Sequence, residues 1–114
     1  MPDYGMCNQT VTVYRKTKEG IYRKVIHNCC LQWSEKLRYD KLGRCVERNF
    51  LLIQPGVEQL VFPGDRVYDG IGRVIEPEDW AYFLPAVVPG LGEVAYAAAY
   101  EWMGVFCHTE AGRK

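Results

Sequence analysis

A chain of 114 residues is long enough for one domain with a single modest core, and too short for two. Apolar residues make up 48% and charged ones 25%, ordinary globular values that argue against disorder. Fourteen basic and fourteen acidic side chains cancel, so no global field directs the chain to nucleic acid or to an anionic membrane.

The five cysteines, Cys7, Cys29, Cys30, Cys45 and Cys107, are odd in number, include an adjacent pair and contain no C-x-x-C spacing. That pattern predicts reduced thiols in a cytoplasmic product, not a secreted disulfide framework. Met1-Pro2-Asp3-Tyr4 is followed by polar residues instead of the apolar stretch of a signal peptide. No apolar run approaches the roughly 18 residues that span a bilayer, so the expectation is a soluble product without membrane contact.

In chain order, Thr10-Val11-Thr12-Val13-Tyr14 alternates, is β-branched or aromatic throughout, and reads as the clearest strand. Lys18-Glu19-Gly20 supplies a short loop, and Ile21–Ile26 returns as the second strand of a hairpin. Continued to Trp33, this strand places Val25, His27, Cys29, Leu31 and Trp33 on one face at period two. Ser34–Arg48 then sets Lys36, Arg38, Lys41, Arg44 and Arg48 against Glu35, Asp40 and Glu47, with Leu42-Gly43 as a turn. It is either a long polar hairpin or a loop that orders against a partner; loops of this length in compact domains are usually functional or disordered.

Asn49–Gly72 carries the densest turn chemistry. Phe50–Ile53 is an unbroken apolar run fenced by Asn49 and Pro55, as expected of a strand covered on both faces. Leu60-Val61-Phe62 reads as a second strand. Pro63-Gly64-Asp65 reverses the chain into a third, Arg66–Asp69. Ile75–Trp80 reads as a short helix start, with Pro77 in the first turn and Glu78 and Asp79 at its positive end, stopped by Pro85. Pro89-Gly90-Leu91-Gly92 is a turn. For Glu93–Tyr100, Val94 and Tyr96 favour a strand and Ala97-Ala98-Ala99 a helix; with Gly104 and Val105–Thr109, the strand option forms a terminal hairpin. The fold class is therefore mainly β, a small antiparallel barrel or sandwich with one long loop and one short helix.

Chemistry-bearing clusters are sparse. His27 with Cys29, and Cys107 with His108, lack the two-to-four-residue gap of a zinc half-site, so small buried thiols and a core histidine are the preferred reading, with no metal and no cofactor. Cys107 and His108 point to opposite faces of a strand, which excludes a thiol–imidazole pair. Gly70-Ile71-Gly72 lacks the third glycine and the Lys-Ser/Thr pair of a phosphate loop. Tyr14, Trp33, Trp80, Tyr82 and Trp102 read as packing or interface aromatics in preference to base-stacking platforms. No convergent acid–base or nucleophile cluster suggests an enzyme.

Several segments together resemble a family of small virion proteins. TVTVYRK (10–16), HNCC (27–30), QPG (54–56), PGDRVYDGIG (63–72), the Asp79-Trp80 segment, Pro89-Gly90 and CHTEAGR (107–113) are similar to the minor capsid or neck proteins of tailed bacteriophages and prophages. The resemblance implies a head-closure or neck connector in the virion, made in the host cytoplasm. It implies a ring of roughly six or twelve copies between portal or adaptor and tail proteins, with DNA passing through its channel. Tail terminators and other minor capsid proteins share these features, while a metal- or nucleic-acid-binding module is the competing class. The expected contact residues are Trp33, Lys36, Arg38, Tyr39, Lys41, Arg44 and Arg48, with one aromatic anchor followed by the charged segment.

Overall fold

The computed structural model describes the backbone of residues 5–40 and 43–113, with side chains described for 5–35 and 49–113. Its strands are β1 (Gln9–Thr17), β2 (Gly20–Asp40), β3 (Gly43–Pro55), β4 (Arg66–Asp69), β5 (Leu91–Glu93), β6 (Tyr96–Trp102) and β7 (Val105–Arg113), with a 3-10 helix at Pro77–Tyr82. They form one antiparallel sheet in the order β5-β4-β1-β2-β3-β7-β6. β5 and β6 stand at opposite edges of that order, yet only Val94 and Ala95 separate them in sequence. The sheet must therefore curl until its edges approach. Two backbone bonds carry the crossing: Val94 N donates to Asp65 O at 2.8 Å on the β4 side, and Ala95 N donates to Gly112 O at 2.8 Å on the β7 side. The result is a curled half-barrel.

Strand β1 is the wall on which both layers rest. Val11 and Val13 point into the curl and join Ile26, Cys29, Leu31, Phe50, Leu52, Val61, Val67, Val94 and Ala111 in the main core. Thr12 and Tyr14, on the other face, are also fully buried. They lie under the segment after β4, where Tyr14 packs with Ile75, Phe83 and Leu91 and meets Phe83 edge-on at 4.7 Å. Burial on both faces thus belongs to β1 more than to Phe50–Ile53, where Phe50 and Leu52 are buried but Leu51 and Ile53 are only partly covered. Each large apolar side chain so buried contributes about 1.5–3 kcal/mol of transfer free energy.

The expected period-two face from Val25 to Trp33 is interrupted. Asn28 takes φ 61°, and the β1–β2 register shifts between Gln9↔Cys29 and Val11↔Ile26. This is a bulge, with asparagine among the few residues that adopt the left-handed region readily. Its effect is to turn Ile26 inward ahead of the bulge and Cys29, Leu31 and Trp33 inward after it, leaving His27 exposed. The same pairing brings Cys7, just ahead of β1, beside Cys30, and the two form a disulfide. That corrects the expectation of uniformly reduced thiols: the antiparallel register makes a pair that an odd count and an adjacent doublet conceal. Cys29 and Cys107 are buried free thiols, and burial pushes Cys29 up to about 11; the side chain of Cys45 lies outside the described residues.

Two further expectations change. Leu60–Phe62 is not a ladder strand: side chains satisfy its backbone, with Leu60 N donating to Gln54 Oε1 at 3.1 Å and Phe62 N to Asp65 Oδ2 at 2.9 Å. The turn at Pro89 ends at Gly90, and Leu91 and Gly92 enter β5. The Ala97–Ala99 segment is strand, because its register sets Ala97 against the fully buried Ala111 and tertiary packing overrides helix propensity. Ser34–Arg48 is a hairpin at the level of the backbone, paired from Ser34↔Asn49 to Asp40↔Gly43.

The curl is held closed around Phe50. A Cβ added at Gly92 would stand 2.6 Å from the Phe50 ring, and one at Gly112 would stand 2.3 Å from the Phe50 carbonyl oxygen. Gly112→Ala is therefore expected to lower stability by about 2–3 kcal/mol through overpacking against backbone that cannot swing away. Urea unfolding would show it as a lower midpoint at unchanged slope, whereas a wild-type midpoint would mean the edges are not held this tightly.

Candidate functional site

The outer layer on β1 is built by the PGDRVYDGIG segment. Thr12 Oγ1 donates to Gly70 O at 2.8 Å and accepts from Gly72 N at 2.9 Å, and Gly70 N donates to Thr10 O at 2.9 Å. Tyr14 OH donates to Arg73 O at 2.7 Å, and Arg23 Nε donates to Gly72 O at 3.0 Å. Two glycine amides that a phosphate loop would present to a ligand are thus engaged with β1. Gly72 has no space for a side chain, since a Cβ there would lie 2.0 Å from the Tyr14 hydroxyl. Burial raises the Tyr14 phenol above its ordinary value.

Asp65, from the same segment, is almost wholly buried and accepts a two-pronged bond from Arg15, Nε to Oδ1 at 2.7 Å and Nη2 to Oδ2 at 2.8 Å. The Arg15 guanidinium lies between the rings of Tyr22 and Phe62, 4.9 and 4.8 Å from their centroids. The bond to Asp65 raises the Arg15 pKa further, so the guanidinium stays charged throughout the accessible pH range. Arg66 fastens the 3-10 helix: Nη1 donates to Trp80 O at 2.6 Å and Phe83 O at 2.8 Å, and the guanidinium stacks 3.7 Å from the Trp80 ring. The distinctive motif is in these respects architectural.

Two hairpins project from opposite ends of the sheet. At one end, β2 and β3 run on past their neighbours as a two-stranded arm, since β1 pairs with β2 only up to Cys29 and β7 joins β3 only from Phe50. Trp33 sits at the arm's root, partly buried, 5.6 Å from the Phe50 ring, with its indole N–H donating to Asp69 Oδ2 at 3.3 Å. Of the other expected contact residues, Lys36, Arg38, Tyr39, Arg44 and Arg48 occupy the arm's strands, where Lys36 is in register with Glu47 and Tyr39 with Arg44; their side chains, and all of Lys41, lie outside the described residues.

At the opposite end, β6 and β7 overhang β3, whose pairing with β7 stops at Pro55↔His108. The hairpin turns at Met103 and Gly104, φ 52° and 82°. Two consecutive positive φ values are the signature of the tight turn that favours Asn-Gly, so methionine here costs on the order of 1 kcal/mol. Trp102 is 51% exposed, Met103 88% and Val105 58%. This apolar tip escaped the sequence reading; its signal was Trp-Met-Gly-Val where a solvent-facing turn calls for polar residues. Between the two ends, the seam of the half-barrel opens as a groove of about 440 Å³ walled by Trp33, Phe50, Leu84 and Leu91, with Glu93 and Arg113 on its rim.

Among the described residues, no three His, Cys, Asp or Glu side chains gather as a metal site, and no helix is long and apolar enough to cross a membrane. Comparison with protein-family models, curated proteins and solved structures returns no match for this chain.

Replacing Arg15 with methionine leaves Asp65 buried without its counter-charge, and chemical unfolding should register a loss of about 3 kcal/mol. Arg15→Met and Asp65→Asn together should lose less than the sum of the two single changes; strict additivity would show that the pair is not coupled.

Proposed function

We propose that this chain is a virion structural subunit that assembles as a ring at the head–tail junction of a tailed phage, between portal and tail. One observation carries the reading: a small curled sheet extends two hairpins from opposite ends, one charged in sequence and one with an exposed apolar tip. The radius of gyration, 15.2 Å, exceeds the about 13 Å of a compact domain of this length, as projecting hairpins require. A subunit built to stack beside copies of itself needs a stiff centre and outward elements that reach its neighbours. The clamped β1 wall supplies the first, and the arm and tip supply the second. The resemblance of PGDRVYDGIG and CHTEAGR to neck proteins supports a position at the connector. On this reading Trp33 anchors the root of the arm, while Lys36, Arg38, Tyr39, Lys41, Arg44 and Arg48 meet acidic surfaces of adjoining proteins.

Sedimentation of the purified chain from micromolar to millimolar concentration should show a discrete closed oligomer growing at the monomer's expense. In phage particles, Arg38→Glu with Arg44→Glu should reduce tail joining about tenfold or more. A chain that stays monomeric throughout, together with unimpaired joining by the charge-reversed variant, would contradict the proposal.

A further inference from the structure

We infer that each copy seats the apolar tip of its β6–β7 hairpin in the seam groove of the next copy, so that assembly runs head to tail; the inference rests on the ring reading and names its contact. The first support is position. Arg113, on the groove rim, and Val105, beside the tip, lie at opposite ends of the same strand, eight residue steps apart. At about 3.3 Å per residue they are about 26 Å apart. A paired strand cannot fold back over that distance onto its own end, so tip and groove meet only between different molecules. A contact between two different patches is heterologous; repeated by every copy it closes a ring or extends a filament, and it does not stop at a dimer.

Chemistry is the second support. Groove and tip are both apolar and aromatic: Phe50 and Leu84 are walls for which Trp102 and Met103 are fitting occupants. Around them, charges complement. The groove rim carries Arg113 and Glu93 as a loose pair at 4.0 Å, both about half exposed. The tip brings the carboxylate of Glu101, exposed on the strand face opposite Trp102. Seated, Glu101 meets Arg113 at the rim while Trp102 enters the groove. The third support is the left-handed backbone at Met103, a cost that the isolated hairpin does not recover and that a buried methionine would offset. Three side chains of this size cover a few hundred Å², well under the roughly 800 Å² per partner of a standard stable interface. One such contact alone is weak, whereas in a closed ring every copy is held on both sides.

Two variants test this at positions exposed enough to leave the fold intact: Trp102→Asp spoils the tip, and Ala86→Trp obstructs the groove mouth. Each alone should weaken self-association about a hundredfold in sedimentation velocity. Mixed in equal amounts at millimolar concentration, where a single weak contact registers, they should form pairs and go no further, because only one intact tip and one intact groove remain per pair. A charge exchange gives an independent reading should either variant fold poorly: Glu101→Arg or Arg113→Glu should each weaken association about tenfold, and the two in one chain should restore it. If the wild-type chain assembles but the single variants assemble equally well, or the mixture stays monomeric, the tip-in-groove contact is wrong and the ring reading survives. If the wild-type chain never associates, the ring reading fails and this contact with it.

Discussion

The close approach of Phe50 to two glycines fixes the shape on which everything else depends. Its ring lies where a Gly92 side chain would stand, and its carbonyl where a Gly112 side chain would stand. Those contacts, with a two-residue link between edge strands, convert a flat sequence of antiparallel pairs into a curl. A sheet left open would expose two long edges and invite uncontrolled pairing. Here one edge strand is three residues long and tethered to the opposite edge, while the other ends in the exposed hairpin. The curl also creates the seam, because closure around a single aromatic ring leaves a gap beside it.

Much of this was legible in the residues. The alternation of Thr10–Tyr14, the loop at Lys18–Gly20, the reversal at Pro63–Asp65 and the strand character of Tyr96 all express local rules that the tertiary structure does not override, whereas Val94, expected in the same strand, lies in the link between β5 and β6. What escaped reading is non-local. Asn28 offers no pattern that announces a bulge, yet ahead of it Ile26, and not Val25 or His27, joins the inward face of Cys29, Leu31 and Trp33. The Cys7–Cys30 bond depends on register, which spacing along the chain does not reveal. Thr12 falls on the strand face opposite Val11 and Val13. It is buried because Gly70 and Gly72 supply it with partners from almost sixty residues away.

The same division applies to function. Trp33, expected as an anchor in a core or an interface, lies partly buried against Phe50 at the base of the arm and in the groove wall. The apolar tip was not legible until the hairpin register identified Met103 and Gly104 as its turn. Once that register is known, the turn stands out as exposed, strained and apolar together. Polarity follows from topology: an arm at one end, a tip at the other and a groove nearer the arm give the subunit a direction.

A photo-crosslinker at position 103 tests that direction most directly, in a mixture of nitrogen-14 and nitrogen-15 chains analysed by mass spectrometry. Cross-links are expected from residue 103 to the groove segments around Leu84 and Leu91, half of them joining a light chain to a heavy one when the two are mixed in equal amounts. Cross-links confined within single chains, or running from tip to tip, would contradict that direction.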